Sequence, residues 1–546
     1  MALAPFFAKT LQSASQVLAG FDEVTFTAAL DARLVGIAWD ASVVASVEAR
    51  ATLDLLTDLL ARLYPRLAFI SLGSDARTLR ADLEHAARAI NPNLEFVDTV
   101  DGAAIVVVVG STAFGSSRSA RADGAVAGDE PILVMYAGSD GWTARFSRRA
   151  PVGSGATDLV FGAGAAACIA AANIFRAVFG PQLTTSELDG DVEVSLLTME
   201  VRDNGDGQRA LAVTNVDAGL AGPLNIDELH LVGVGAIGHG AVWAWRRTPR
   251  LCGTIHLVDG ENYEETNPQR YVETSWDASG AKAAMAASRP WASPDILVVP
   301  HDKHWQQYIT NGGPSKDWRI ARAALALDSA EARVAVQSSL PREVHNAWTR
   351  PENLGISRHN FLLGPCVACL YVLDSQRPNR DEVVARALGM SNETDVRRVR
   401  LYLDSGAPLE QDAIDWIADR LGLELDARTR AEEFLGEPLE VLYTRGLCGG
   451  LIVSLTDLVG RVHAIEVPLA FQSALAGLLL AADVVAGACG LRTCALPARS
   501  EVNLLAPLGS VLSSPHGRPA SATCLCQDAE FVRVYREKYM IGIPAV

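Results

Sequence analysis

Short apolar runs alternate with longer amphipathic segments along the first 110 residues of the chain. LVGIAWDA from residue 34, RLAFISLG from residue 66 and AAIVVVVGS from residue 103 are predicted strands. The third is apolar throughout, which is typical of a parallel strand buried on both faces. The segments between them, SVVASVEARATLDLLTDLLARLY and LRADLEHAARAI, have apolar residues at helical spacing. Strands that alternate with helices predict a doubly wound α/β sheet.

A second α/β unit begins near Ile226 with the segment LHLVGVGAIGHGAVWAW, a predicted strand, a glycine turn and a predicted helix. Gly233, Gly235 and Gly238 have the G-x-G-x-x-G spacing that brings a phosphate close to a helix N-terminus. The next predicted strand, GTIHLVDG, ends at Asp259, where a carboxylate can bind a ribose. The first unit has WDASVVAS after its first strand, with no glycine cluster. We therefore expect a nucleotide in the second unit alone.

Each unit also contains a Gly/Ala-rich apolar helix late in its span, FGAGAAACIAAANIFRAVFG from Phe161 and VPLAFQSALAGLLLAADVVAGACG from Val467. This pattern predicts a degenerate internal duplication, although two unrelated α/β domains would look similar. The predicted domains are residues 1–205 and 206–546. Residues 371–447 are charged and amphipathic at helical spacing, so they are predicted to form a helical insertion in the second domain.

The composition excludes several classes of protein. The chain has 546 residues and a formal net charge of -17, which argues against nucleic-acid binding. We find no secretory signal, and Gln472 and Asp483 in the most apolar stretch favour a buried core helix over a membrane span. A cytoplasmic protein is expected, and its nine cysteines favour metal binding or thiol chemistry over disulfides.

Past Asp259 the chain continues with a D-x-[DE] pair, an N-x-x-R segment and a lysine. With the three glycines, Asp259, Glu261, Asn267, Arg270, Lys282 and Asp328 resemble the ATP site of the ThiF/MoeB/HesA superfamily, which includes the ubiquitin-activating enzymes. The resemblance covers residues 226–365 and resumes over 448–526. It implies an α/β fold with two Rossmann-like adenylation domains, the N-terminal one degenerate and the C-terminal one active.

The resemblance also implies roles for these residues. Asp259 is expected to bind the ribose hydroxyls, Asn267 and Arg270 the phosphates, and Lys282 the departing phosphates. Asp328 is expected to bind Mg²⁺ or the nucleotide. The alternative for Arg270 and Lys282 is an ordinary solvated charge.

The sequence does not determine how three features affect the predicted ATP site. Ala236 and His239 stand where the superfamily has Gly and Ser, and His239 could crowd a phosphate or bind it. An arginine of the first unit, Arg33 or Arg50, is a further possible contributor to the ATP site.

Two cysteine pairs predict a structural zinc site. Cys366 and Cys369 form a C-x-x-C pair, and Cys524 and Cys526 form a C-x-C pair near the C-terminus. Four thiolates can complete a tetrahedral Zn²⁺ site, with His516 as a substitute ligand because the second pair is shorter than the usual C-x-x-C. The alternatives are four buried thiols without a metal, or a redox pair.

Cys448, in YTRGLCGGLIVSL, is the predicted nucleophile. It follows the helical insertion and precedes the apolar helix, where ThiF-like and ubiquitin-activating enzymes place the cysteine that accepts the acyl group. A glycine-rich turn beside Arg445 would lower its pKa and leave it accessible. The alternative is a small buried core residue. The other cysteines are predicted to be structural: Cys168, Cys252, Cys489 and Cys494.

The resemblance favours an enzyme that activates a ubiquitin-like protein ending in glycine and passes it to a conjugating enzyme. The layout is similar to the activating enzyme of bacterial ubiquitination-like antiphage operons. The two domains would form an internal pseudo-dimer, which could itself dimerise, with no membrane partner. Adenylation of a sulfur-carrier protein or of a peptide, and a silent nucleotide-binding scaffold, remain alternatives. A nicotinamide or flavin oxidoreductase is the least favoured function, because its chemistry would require neither Arg270 and Lys282 nor the cysteine pairs.

Overall fold

A computed structural model of the chain describes residues 3–73, 78–98, 103–115, 132–203, 222–311, 318–371, 380–447, 467–509, 512–519 and 524–541. Its described residues form two eight-stranded mixed sheets, which confirms the predicted α/β class with two Rossmann-like units. The first sheet ends at Asp203 and the second begins at Leu224. The predicted boundary between residues 205 and 206 lies outside the described residues.

The two sheets share one topology. The first contains β1 (Leu34–Trp39), β2 (Arg66–Ser71), β3 (Glu95–Val97), β4 (Ala103–Val109), β5 (Leu133–Asp140), β6 (Thr143–Ser147), β7 (Val192–Ser195) and β8 (Glu200–Asp203). The second contains β9 (Leu224–Val232), β10 (Leu251–Val258), β11 (Ile296–His301), β12 (Arg322–Leu325), β13 (Glu343–Thr349), β14 (Leu354–Asn360), β15 (Arg499–Val502) and β16 (Ser513–Ser514). Their orders are β3-β2-β1-β4-β5-β6-β7-β8 and β11-β10-β9-β12-β13-β14-β15-β16. In both sheets the first five strands of this order are parallel and the last three antiparallel. This match of order and direction supports the predicted duplication.

The helices of the first unit are α1 (Phe7–Val17), α2 (Glu23–Asp31), α3 (Ser42–Ala45), α4 (Val47–Ala61), α5 (Thr78–Ile90) and α6 (Phe161–Phe179). The second unit contains α7 (Ala236–Arg246), α8 (Lys282–Ala287), α9 (Trp305–Thr310), α10 (Ala330–Ser338), α11 (Arg380–Ala387), α12 (Glu393–Ser405), α13 (Gln411–Leu421), α14 (Leu425–Glu432), α15 (Leu439–Val441), α16 (Ala470–Ala488) and α17 (Ala529–Lys538).

The helix predicted from residue 42 onward is interrupted. Ser46 has an extended backbone and its side chain accepts a hydrogen bond from Ala49 N, so it caps α4 and separates this helix from α3. A serine that can satisfy free N–H groups favours a new helix start over continuation. Periodicity alone predicted one helix because the apolar positions on both sides keep the same spacing.

The two Gly/Ala-rich helices occupy equivalent places, α6 between β6 and β7 and α16 between β14 and β15. They pack against each other where the two units meet, and a Cβ added at Gly164 of α6 would lie 2.7 Å from Leu478 of α16. Both helices are long and apolar enough to cross a membrane. However, 89% and 94% of the most apolar 18-residue stretch in the first and second helix, respectively, is buried inside the protein. They are core helices that join the two units, as the polar residues in the second one led us to expect.

Residues 380–447 form the helices α11 to α15 and a terminal π-helical turn, with a core of their own. This core includes Val384, Leu388, Val399, Ile414 and Ile417. The chain enters the insertion after β14 and leaves it before α16, so its ends lie on the second unit. The start of the predicted insertion includes residues 372–379, which lie outside the described part of the chain.

Candidate nucleotide site and cysteine cluster

The glycine turn connects β9 to α7 at the carboxyl end of the second sheet. Gly233 has a φ of +93°, and a Cβ there would lie 2.6 Å from the Ala326 carbonyl oxygen. Gly235 precedes the first turn of α7, and a Cβ at Gly238 would collide with the Gly233 carbonyl. The chain order reverses between β9 and β12, and ligands of doubly wound sheets bind in the crevice at such a point. The turn therefore lies where doubly wound sheets bind ligands. Its glycines allow the backbone the close approach that phosphate binding requires.

Asp259 follows β10 and is held against the glycine turn. Its Oδ2 accepts a hydrogen bond from Val234 N (2.7 Å), and its Oδ1 accepts one from Glu261 N (2.9 Å). Burial raises the pKa of the Asp259 carboxyl, while Lys282 and these two N–H groups act in the opposite direction. The carboxylate is thus positioned beside the turn, and the ribose role predicted for it stays a prediction.

Lys282 is buried although it lies at the start of α8, and its Nζ lies 2.5 Å from Oε2 of Glu261. Burial lowers the pKa of Lys282, but Tyr271, Glu261 and Asp259 raise it further, so the pKa lies above its ordinary value. The ammonium remains charged although it is itself buried, and the carboxylate that pairs with it is 62% exposed. The solvated surface charge considered for Lys282 is therefore wrong.

Tyr271 links the cations to the glycine turn, and sequence reasoning missed it. A Cβ added at Gly235 would lie 3.5 Å from the Tyr271 hydroxyl oxygen. Arg270 and Lys282 lie over the same ring, at 5.4 and 5.5 Å from its centroid. No motif marks this tyrosine, because its role depends on where the N-x-x-R segment folds back onto the turn.

Arg270 carries an unsatisfied donor. Its Nη1 is buried and has no hydrogen-bond partner among the described residues. Asn267, by contrast, uses its side-chain oxygen within its own turn, where it accepts a hydrogen bond from Glu264 N (3.1 Å). A buried guanidinium nitrogen without an acceptor is costly, so Arg270 is suited to receive an anion.

Asp58 and Arg62 of the first unit hold the N-x-x-R segment of the second unit in place. Arg62 donates to the Pro268 carbonyl and is paired with Asp58 at 2.9 Å, and Asp58 in turn accepts a hydrogen bond from Glu273 N (2.8 Å). Arg50 instead pairs with Asp54 and lines a groove at the C-terminal end of α7, about 16 Å along the helix from the glycine turn. Of the described arginines of the first unit, Arg62 contacts this segment, through the Pro268 carbonyl.

His239 packs against the ring of Tyr271, with the ring centroids 5.0 Å apart. It is buried, and its Nε2 lies 2.7 Å from the Tyr263 hydroxyl. Burial is the main cause that lowers the pKa of His239 well below its ordinary value, so the ring is neutral. The histidine at the position of the usual serine is thus a neutral ring held between Tyr263 and Tyr271.

Asp328 follows β12 in the loop before α10, with an exposed side chain. The Gly233 turn contacts the two residues before it, Ala326 and Leu327. Asp328 therefore lies next to the crevice at the carboxyl edge of the sheet. Its predicted role toward Mg²⁺ or the nucleotide is compatible with this place.

Cys366, Cys369, Cys524 and Cys526 converge into one buried cluster. Neighbouring Sγ atoms are separated by 3.4–3.8 Å. Thiolates around a tetrahedral zinc ion are about 3.8 Å apart, given a Zn–S bond of about 2.3 Å. The C-x-C pair thus reaches the C-x-x-C pair without His516. The cluster is able to hold a zinc ion, which would join the segment before α17 to the segment after β14 within the second unit.

The predicted nucleophile Cys448 lies outside the described residues, as does the side chain of Arg445. The described helix ends at Leu447 and the chain is described again from Val467. The role of Cys448 stays a prediction. Of the cysteines predicted to be structural, Cys168 is buried, whereas Cys494 is exposed.

Comparison with known proteins identifies a relative that spans the whole chain. The protein y4jF of Sinorhizobium fredii (strain NBRC 101917 / NGR234), described as uncharacterized, is 38% identical over 540 residues, which cover 99% of this chain and 98% of the relative. The chain belongs to the y4jF family. Within it, residues 38–180 match a family described as Prokaryotic E2 family C. This match covers the first unit from β1 to α6.

Among solved structures, the chain is similar to E. coli MccB in its crystal structure with AMPCPP and selenomethionine MccA. The TM-score is 0.32 at 14% sequence identity, over 54% of this chain and 66% of that chain. A similarity at this level does not extend to ligands or activity. The conclusions on this y4jF-family chain therefore depend on its own residues.

The first unit of this y4jF-family chain has a carboxylate where the second has its glycine turn. Asp40 follows β1 directly, as Gly233 follows β9. Its Oδ2 accepts hydrogen bonds from Ser111 N (2.8 Å) and Thr112 N (2.7 Å), and its Oδ1 accepts one from Ser42 N (2.9 Å). Ser42 N lies in the turn after β1, the place of the glycine turn in the second unit, so the Asp40 carboxylate already uses one N–H group of this turn. This arrangement gives a physical reason for the predicted inactivity of the first unit.

Proposed function

We propose that the second unit binds MgATP and adenylates a carboxylate of a protein or peptide. The observation that carries the proposal is the arrangement around Tyr271, where Arg270 and Lys282 meet beside the glycine turn and Arg270 has a buried, unpartnered Nη1. Two cations beside a glycine turn at a helix N-terminus suit a polyphosphate. A dinucleotide dehydrogenase needs only the carboxylate at Asp259 and has no use for these cations.

The chemistry requires charge neutralisation and alignment rather than a general base. An ionised carboxylate attacks the α-phosphorus of ATP, a new O–P bond forms, and the bond to the β-phosphate breaks with release of pyrophosphate. Arg270 and Lys282 would neutralise the charge that moves onto the leaving phosphates, and Asp259 would hold the ribose. When bound, Mg²⁺ would supply further neutralisation of the phosphates, and Asp328 would hold it.

We further propose that the acceptor of adenylate is the C-terminal glycine of a ubiquitin-like protein, which then forms a thioester on Cys448. The thiolate would displace AMP from the acyl-adenylate, and a conjugating enzyme would receive the acyl group. The insertion that ends at Leu447 and the Prokaryotic E2 description of the family matched by the first unit support this reading over sulfur transfer.

The test is intact mass under non-reducing conditions. The full chain is mixed with MgATP and a ubiquitin-like protein ending in glycine that is encoded in its gene neighbourhood. We expect an adduct of carrier size that reductant removes and that Cys448→Ala abolishes. Cys494→Ala, which removes an exposed cysteine, is the matched control and should form the adduct.

Pyrophosphate exchange separates the two parts of the proposal. Exchange without an adduct would retain adenylation and remove the thioester role of Cys448, which favours a sulfur-carrier or peptide substrate. The proposal would be overturned if the chain showed neither the adduct nor pyrophosphate exchange and if Lys282→Ala did not weaken ATP binding. These results would indicate a silent scaffold.

A further inference from the structure

A second group of potential metal ligands lies on the second sheet, on the face covered by α9. Glu228 and His230 alternate along β9 and therefore point to the same face, and His256 on β10 is the register partner of His230. One ligand atom from each of the three side chains lies within 4.8 Å of the others. His256 Nε2 and Glu228 Oε1 are 3.2 Å apart.

The other ring nitrogens of the two histidines have neighbours that hold the rings. His230 Nε2 lies 3.1 Å from the Tyr308 hydroxyl, and His256 Nδ1 lies 3.0 Å from His301 Nε2. Histidines that bind metals commonly use one nitrogen for the metal and the other for a supporting hydrogen bond, which sets the tautomer and the ring orientation. This group has such support at both rings.

His230 has an unsatisfied nitrogen. The residue is fully buried, and its Nδ1 has no hydrogen-bond partner in the part of the chain that the structure describes. The backbone of Arg322 on β12 interacts with the ring, but Nδ1 does not meet hydrogen-bond geometry with it. A histidine that served only as a core residue would be expected to have both nitrogens satisfied.

We propose that Glu228, His230 and His256 bind a divalent transition-metal ion, Zn²⁺ in the first instance. Two imidazoles and one carboxylate are ligands that zinc accepts, and they differ in kind from the four thiolates of the cysteine cluster. The spacing between His256 and Glu228 already matches the edge of about 3.3 Å expected around zinc with bonds of about 2.0–2.1 Å. The His230 and His256 rings are stacked with centroids 4.6 Å apart, so binding requires them to tilt toward a common point.

The site is separate from the nucleotide crevice. His230 precedes Gly233 by three residues of extended chain, which is about 10 Å, and Glu228 lies about 16 Å away toward the other end of β9. The Glu228 side chain is 37% exposed, so the site opens to solvent on this side and water can complete the coordination.

Cobalt titration distinguishes this site from the cysteine cluster. The full chain is stripped with chelator under reducing conditions and titrated with Co²⁺, because only the cysteine site gives thiolate-to-cobalt charge-transfer absorption. We expect one equivalent of Co²⁺ to bind at Glu228, His230 and His256 without that absorption. The double variant His230→Asn/His256→Asn should lose this equivalent, whereas His85→Asn, which changes an exposed histidine of the first unit, should keep it.

Two further variants keep the proposal testable where the double variant fails to fold. Glu228→Gln changes a partly exposed ligand and should weaken the same equivalent by at least about tenfold, as removal of a charged ligand does. Tyr308→Phe removes only a supporting hydroxyl and should weaken it by roughly 10- to 100-fold. The proposal would be overturned if the wild-type chain bound no Co²⁺ other than that which gives thiolate-to-cobalt absorption. Unchanged Co²⁺ binding in Glu228→Gln and in the double variant would also overturn it.

Discussion

The carboxylate of Asp58 in the first unit accepts a hydrogen bond of 2.8 Å from the backbone N–H of Glu273 in the second. Asp58 is also the ion-pair partner of Arg62, which donates to the Pro268 carbonyl. One ion pair of the first unit thus holds both ends of the segment that carries Asn267, Arg270 and Tyr271. The first unit supports the nucleotide crevice of the second through contacts with its backbone.

Arg62→Ala should loosen this segment, because Asp58 would then be an unpaired charge in a nearly buried place. Breaking a buried pair costs roughly 3–5 kcal/mol. We expect faster hydrogen exchange at the amides of residues 267–274 and weaker ATP binding. Asp58→Leu/Arg62→Met, which leaves no unpaired charge, should cause the smaller increase in exchange. Equal exchange in the wild type and Arg62→Ala would contradict this role of the ion pair.

Lys282→Ala should weaken ATP binding, because it removes a buried cation next to the glycine turn. Hydrogen bonds to charged groups contribute roughly 1.5–3 kcal/mol, which corresponds to about a 10- to 150-fold rise in Kd. Isothermal titration with MgATP measures the change. Lys303→Ala, at an exposed lysine of the same unit, is the matched control and should bind as the wild type does. Equal affinities of the two variants would remove Lys282 from the nucleotide site.

Asp483 should make the stability of the protein fall at acid pH. Burial raises the pKa of this carboxyl, but Arg358, Arg492 and His345 lower it further, so its pKa lies well below the ordinary range. A carboxyl with a lowered folded-state pKa stabilises the protein fully above its unfolded pKa of about 4, and this contribution declines as pH falls below that value.

Asp483→Asn removes the titration and leaves the cations beside a neutral amide, at a cost of roughly 3–5 kcal/mol above pH 5. Thermal unfolding of both proteins between pH 7 and pH 3 measures the effect. The difference in midpoint should be constant above pH 5 and shrink toward pH 3. A difference that does not change with pH would show that Asp483 is not the titrating group.

Removal of a cysteine ligand should release the metal of the cysteine cluster. We expect Cys526→Ala to lower the zinc content of the purified protein by one equivalent and to lower its unfolding temperature, because metal binding stabilises only the folded state. Elemental analysis with calorimetry measures both. Cys494→Ala should leave both quantities unchanged. Unchanged zinc content in Cys526→Ala would favour four buried thiols without a metal.

Several elements of the nucleotide site could be predicted from the chain alone because they depend on local spacing. The turn at Gly233 requires a positive φ and a close backbone approach, and Asp259 follows a strand whose apolar run is evident in the sequence. The burial of Lys282 was not predictable, since a lysine at a helix start is usually solvated. In the folded chain the ammonium is paired with Glu261 and lies over the ring of Tyr271.

The α/β class, the alternation of strands and helices, the glycine turn and the two cysteine pairs are predictable from the chain, because each depends on residues close together along it. The contact of Arg62 with Pro268, 206 positions away, and the distance of 3.5 Å between the sulfur atoms of Cys369 and Cys526, 157 positions apart, follow from the packing of the folded chain. This packing also places His230 beside His256, through the register of β9 and β10. The physical reason is that strand register and the packing of the two units are set by the whole buried core, which periodicity within one segment does not report.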